Sequence, residues 1–138
     1  MSNSSSRRRR PKAPPAVAAE LTATALGAGG DGVGVWQGRP AYAPGLLPGE
    51  TARVRLTAKR GDGRLAEVVE RLNDAAERVA PPCPYAENCG GCAVQHLADA
   101  AYSVWKEGLL TRALEAKALR PDRTLPMLRV QGGRRRIR

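Results

Sequence analysis

Phenylalanine is absent from this 138-residue chain, and aromatic residues make up only 4% of it, while glycine and proline number 15 and 11. Such a composition excludes a large self-sufficient core and fits one small domain with accessories, or the front end of something larger. No apolar run approaches the roughly 20 residues of a membrane span. Arg7 to Arg10 are not followed by the apolar core of a signal peptide. The expected compartment is a reducing cytoplasm, with no membrane and no obligate protein partner. Cysteine occurs three times and histidine once. An odd cysteine count without a secretory context argues against a disulfide framework.

Acidic residues are scarce at the two ends of the chain. Residues 1–16 carry Arg7, Arg8, Arg9, Arg10 and Lys12 with no acid, and residues 112–138 carry nine basic and two acidic side chains. The stretch between, 17–111, has nine basic and eleven acidic residues, although the whole chain is +10. Basic ends of this kind suit long-range, sequence-blind phosphate contact. Residues 1–15, rich in Ser, Arg and Pro, read as a disordered basic tail.

Residues 16–72 read as short strands. Leu21, Ala23 and Ala25 alternate with Glu20, Thr22 and Thr24, and Val33 and Val35 share one face. A short strand covers Pro40 to Ala43, and the run PGLLPGE turns the chain. Ala52, Val54, Leu56 and Ala58 alternate with Thr51, Arg53, Arg55, Thr57 and Lys59. A turn at Arg60–Gly63 leads to a last strand over Leu65–Glu70. Five short strands between Gly/Pro turns predict a small OB-like barrel. Such barrels hold single-stranded nucleic acid on basic and aromatic side chains. The candidates are Arg53, Arg55, Lys59 and the adjacent Arg60, with Trp36 and Tyr42 as the aromatic residues able to stack on a base.

The run Gly27-Ala28-Gly29-Gly30-Asp31-Gly32 satisfies the dinucleotide fingerprint literally, with Glu50 near the distance of a ribose-binding acid. The fingerprint needs a helix to open at its third glycine. The β-prone Val33-Gly34-Val35-Trp36 follows instead, with Pro40 close behind, so these glycines predict a hairpin turn with a bulge.

All three cysteines fall in PPCPYAENCGGCAVQH, as Cys83, Cys89 and Cys92 in the spacing C-x5-C-x2-C, with His96 four residues on. Gly90 and Gly91 allow a tight wrap that aims two thiolates at one centre, at positive φ if required. Thiolate ligation selects an iron–sulfur cluster or zinc, and adding His96 would complete a tetrahedral Cys3His zinc site. After it, Asp99 is the expected N-cap of a helix to Arg120, ended by Pro121. Tyr102, Trp105, Leu109, Ala113 and Ala116, widened by Leu110 and Leu114, form one apolar stripe expected to pack on the cysteine loop. A strand-like piece follows at Met127–Val130.

The run RVAPPCPYAENCGGCAVQHL, behind a barrel pattern and before a Lys-bearing helix, resembles the cluster segment of bacterial RNA (uracil-5-)-methyltransferases. The resemblance covers the chain from about Ala16 onward. It implies a TRAM barrel, then a [4Fe–4S] segment in which Cys83, Cys89 and Cys92 match three ligands, with the fourth cysteine and the S-adenosylmethionine-binding α/β domain in regions this chain does not match. Arg78, the Gln95–His96 pair and Lys106 match family positions. The implied activity is S-adenosylmethionine-dependent formation of 5-methyluridine in rRNA or tRNA, through a cysteine nucleophile and a flipped-out base. No catalytic or S-adenosylmethionine-binding residue is matched in this chain. The expected organisation is mainly β with one helix: tail 1–15, barrel 16–72, cysteine-rich segment 73–98, helix 99–120, and the start of a central region at 121–138. The alternative is a stand-alone RNA-binding module with a structural Cys3His zinc site.

Overall fold

The computed structural model describes residues 17–86 and 88–128. The tail expected at 1–15 and the Arg-rich stretch from Arg129 lie outside the described residues. The protein is mainly β with one helix, and it divides into two compact units, Met1–Ala75 and Ala76–Arg138.

The first unit is a curled six-stranded sheet made of β1 (Val17–Thr22), β2 (Ala25–Leu26), β3 (Gly32–Trp36), β4 (Arg39–Ala43), β5 (Thr51–Arg60) and β6 (Gly63–Arg71). The order across the sheet is β1-β5-β6-β4-β3-β2. Only the β4–β6 pair is parallel. Two residues, Ala23 and Thr24, separate β1 from β2, so one bent segment supplies both edges of the sheet. Its bend is fixed by hydrogen bonds: the Ala23 N–H donates to the Glu50 carbonyl at 2.9 Å, and the Thr24 N–H to the Val33 carbonyl at 2.8 Å. A sheet whose two edges lie on one segment has curled into a barrel, the OB-like architecture that the strand pattern predicts.

The core is small because its residues are small. Leu21, Ala23, Ala41, Ala43, Leu46, Ala52, Val54, Leu56 and Ala66 form one buried cluster, with Ala19, Trp36 and Val68 packed against it. Leu46 and Leu47, read from the sequence only as a turn, are fully buried. The turn that carries them is held by Glu50, itself fully buried. Its carboxylate accepts the Leu47 N–H at 2.8 Å and the Ala75 N–H at 3.1 Å. The acid that counted toward a nucleotide fingerprint is thus a structural acceptor, and the glycine run is the β2–β3 turn, closed by the Gly27 N–H donating to the Asp31 carbonyl.

Val33 and Val35 share one face as expected, but it is the outer one, while Ala25 and Ala58 depart from the inward sets of their strands. Val35 is 69% exposed and Val33 half-buried, whereas Gly32 and Gly34 are buried. The reason is crowding: a Cβ on Gly34 would sit 2.8 Å from Leu21 Cδ1 and against the Thr22 carbonyl. The β1 segment crosses β3 there, and only glycine leaves room. Ala25 is exposed because the bend at Ala23–Thr24 ends the inward alternation of β1. Ala58 is exposed because β5 shifts register against β6 between Leu56 and Lys59, which re-aims the side chains beyond it.

In the second unit the cysteine segment is closed at its neck. Arg78 and Leu97 form an isolated antiparallel bridge. The Val79 N–H donates to the His96 carbonyl at 2.9 Å and the Ala98 N–H to the Glu77 carbonyl at 2.8 Å. The helix, α1 (Asp99–Glu115), starts directly from this neck. Its N-cap is Ala98 rather than Asp99, without a side-chain cap. Asp99 lies in the first turn, where its charge still complements the helix dipole. The helix ends five residues before Arg120. The Leu119 N–H reaches back to the Leu114 carbonyl at 3.0 Å and the Ala118 N–H to the Glu115 carbonyl at 2.9 Å, with Ala118 at φ 54°. That is a Schellman ending, and it stops the helix before Pro121 can. The expected apolar stripe is not buried: no residue of α1 is, and Leu110 is exposed. Among the described residues no second layer of this unit covers it. Met127 and Leu128, the described part of the expected Met127–Val130 strand, are not in a strand.

Candidate nucleic-acid interface and cysteine loop

Residues 17–75 carry seven basic and seven acidic side chains. This stretch is therefore neutral, and what matters is which cations have acids beside them. Arg53 and Arg55 stand on the outer face of β5, as the alternation predicts, but each faces a carboxylate on β6. Arg53 Nη1 lies 2.6 Å from Glu70 Oε2, and Arg55 Nη1 lies 3.4 Å from Glu67 Oε2. Both pairs are exposed, so each contributes little to stability. Their effect is to cancel charge where a bare basic stripe was expected. Arg60 is engaged as well: it lies 2.5 Å from Asp31 Oδ2 and covers the Tyr42 ring at 4.8 Å. Arg71 pairs with Asp74 and lies 4.0 Å from Glu50.

Three cations of residues 17–75 remain, Arg39, Lys59 and Arg64, and none has an ion pair among the described residues. The fold gathers them at one end of the barrel. Gln37 and Gly38, at φ 48° and 72°, make a two-residue turn with both central residues left-handed, the hairpin turn whose twist matches the strands. It sets Trp36 opposite Arg39. The β5–β6 hairpin turns at Gly61 and Asp62 and sets Lys59 opposite Arg64. The parallel β4–β6 pairing places Arg64 beside Ala41. The Arg64 guanidinium then lies 5.7 Å from the centre of the Trp36 ring, within cation–π range. Trp36, Arg39, Pro40, Lys59, Asp62, Gly63 and Arg64 line a pocket of about 170 Å³.

Of the sequence candidates, the structure joins Trp36 and Lys59, and sets Arg53, Arg55 and Arg60 apart from them beside acids. The sequence reading missed Arg39 and Arg64. The dipeptide Gly38-Arg39 after an exposed turn could have flagged the first, since a two-residue hairpin puts it across from Trp36.

In the second unit the three cysteines are free thiols, Cys83 and Cys92 half-buried and Cys89 exposed. Two turns wind the loop: the Ala86 N–H donates to the Cys83 carbonyl at 3.1 Å, and the Cys89 N–H to the Tyr85 carbonyl at 2.8 Å. Neither Gly90 nor Gly91 has positive φ. A Cβ on Gly91 would lie 3.4 Å from Cys89 Sγ, an ordinary contact distance. Donor type fits a soft metal or cluster. Placement does not: among the described residues no three of His, Cys, Asp and Glu are gathered to hold a metal ion. His96 is buried at the neck of the loop. Lys106, on α1, lies over the rings of Trp105 and Tyr102 at 4.9 and 5.7 Å.

The chain matches no protein-family profile. It is 40% identical over 100 residues, 72% of its length, to an uncharacterized RNA methyltransferase of Parasynechococcus marenigrum, of which it covers 22%. It is 46% identical over 78 residues to the 23S rRNA (uracil(1939)-C(5))-methyltransferase RlmD of Photorhabdus laumondii, a match covering 56% of this chain and 18% of that protein. The chain is homologous to RNA methyltransferases. A further RNA methyltransferase, from Rhizobium meliloti, is 40% identical over 122 residues, 84% of this chain and 28% of the relative. The chain thus spans between 18% and 28% of the length of these methyltransferases. No helix of the described residues is long and apolar enough to cross a membrane.

Proposed function

We propose that this chain is the RNA-binding and iron–sulfur-holding portion of an RNA (uracil-C5)-methyltransferase that forms 5-methyluridine in rRNA or tRNA from S-adenosylmethionine. The observation that carries the reading is the 46% identity to a protein named as a uracil-C5 rRNA methyltransferase. The first unit corresponds to the TRAM barrel and supplies the grip on RNA. Trp36 and Lys59 contact it directly, while Arg53, Arg55 and Arg60 would have to leave their carboxylates to do so. Methyl transfer belongs to the whole protein, of which these residues are a fraction.

Cys83, Cys89 and Cys92 are the proposed cluster ligands. The neck at Arg78–Leu97 fixes both ends of their loop, and the exposed turns between leave the thiols free to converge. Metal sites made of thiolates form together with the metal, because binding it is what displaces the thiol protons and gathers the sulfurs. Anaerobic loading of the chain with iron and sulfide tests this. Brown protein containing both, with colour lost in Cys89→Ser or Cys92→Ser, supports the cluster. Colourless protein with one zinc per chain, lost in His96→Ala, would replace it with the zinc site. The grip on RNA is tested by fluorescence anisotropy with a labelled rRNA fragment. Absence of binding at low salt would sink that half of the reading.

A further inference from the structure

We infer that the end of the barrel formed by Trp36, Arg39, Lys59 and Arg64 is a one-nucleotide subsite, which takes a single unpaired base on the Trp36–Arg64 stack and its flanking phosphates on Arg39 and Lys59. The inference deepens the proposed RNA-binding role and rests on it. Three independent features converge at this place.

The first is charge. Every other arginine of residues 17–75, at 53, 55, 60 and 71, has a carboxylate within 4.0 Å. Arg39, Lys59 and Arg64 have none, and Asp62 is the one acid in the pocket they line. The balanced stretch 17–75 thus has its uncompensated positive charge concentrated at one end, where an anion gains most.

The second is chemistry. A planar aromatic ring with a guanidinium over it is the surface on which bases stack, and neighbouring cations hold the backbone. Tyr42, the other aromatic candidate, is covered by an Arg60 already committed to Asp31. That pair is a structural buckle rather than a contact for RNA.

The third is size. At about 170 Å³ the pocket is well below the roughly 300–1,000 Å³ that encloses a small-molecule ligand. It holds part of a ligand whose remainder lies in solvent, which describes one nucleotide of a strand. A base inside a duplex has both faces stacked on its neighbours and cannot enter. The subsite therefore selects single strands.

The test uses the full chain carrying Trp105→Phe, which leaves Trp36 as the sole tryptophan fluorophore. Titration with a short single-stranded RNA is expected to quench the Trp36 emission, and the same sequence in a duplex is expected to bind at least several-fold more weakly without quenching. Trp36→Leu should weaken single-strand binding about 5- to 100-fold, and Trp36→Tyr should restore much of it. Because Trp36 also packs on the core, the double variant Arg39→Ala/Lys59→Ala, altered only at exposed positions, provides a second arm. It should weaken binding and lower the salt slope by about 1.4, with an unchanged circular dichroism spectrum. RNA binding that leaves Trp36 emission unchanged, or that is as tight for duplex and for both variants, overturns the subsite while the RNA-binding role stands. No RNA binding by the parent chain overturns both.

Discussion

Glu50 shows what a single residue does here. It is fully buried, and its two carboxylate oxygens accept backbone N–H groups of Leu47 and Ala75, which are 28 residues apart in sequence. One side chain thus holds the Leu46–Leu47 plug in the barrel and ties down the chain leaving β6. Removing it leaves two amides without an acceptor, each costing about 1–3 kcal/mol when buried. Glu50→Ala is expected to destabilise the first unit by about 2–4 kcal/mol in urea denaturation followed by circular dichroism. Glu50→Gln, which keeps one oxygen, should cost less than half of that. A loss below about 0.5 kcal/mol for Glu50→Ala would show that the two amides find other partners. Nothing in the spacing around Glu50 signals this role. An acid between Gly49 and Thr51 reads as turn polarity until the chain at Ala75 is seen to return to it.

At the scale of elements, the hairpins were legible, and so was the facing of β5 as far as Leu56, but that of β3 was not. Trp36-Gln37-Gly38-Arg39 and Arg60-Gly61-Asp62-Gly63 turn where their glycines say they must. The inward set of β3 is glycine rather than valine because β1 crosses it at Leu21 and Thr22, a contact between segments a dozen residues apart that alternation cannot register. The helix has the opposite lesson. Its apolar stripe promised burial, yet no residue of α1 is buried. Its end is set by backbone hydrogen bonds at Ala118, which holds a left-handed φ of 54° without being glycine. A side chain with a Cβ costs about 1 kcal/mol in that conformation. Ala118→Gly is expected to stabilise the helix end by about 0.5–1 kcal/mol, read as slower hydrogen exchange of the amides from Thr111 to Leu119. Faster exchange there would mean that the helix does not end in this way.

For the whole molecule the question is where charge resides. The chain is +10, but residues 17–75 are balanced and the excess sits in residues 1–16 and 112–138. Two sources of the proposed RNA affinity follow, and salt separates them. Three uncompensated cations at the barrel end predict a slope of log affinity against log salt of about −2 for a single strand, at about 0.7 per phosphate. Removing residues 1–15 deletes five further positive charges. It is expected to make the slope of the intact chain shallower by up to ~3.5 and to leave the quenching of Trp36 intact. A slope that the deletion does not change would assign the salt dependence to the folded units and the basic C-terminal stretch.

The sequence by itself determined the strands, their turns, the one helix and the close spacing of three cysteines, because propensity, glycine and proline act over a few residues. It also carried the resemblance to RNA methyltransferases, since Cys83, Cys89, Cys92 and the residues between them are read in line. Only the tertiary structure decided which of the basic side chains are spent. Arg53 and Arg55 owe their carboxylates to strand register and Arg60 owes its own to the β2–β3 turn, while Trp36, Arg39, Lys59 and Arg64 come together through two hairpins and one parallel pairing. Charge compensation and stacking act through space at a few ångströms. Their partners are fixed by the closing of the sheet, to which no local pattern in the chain refers.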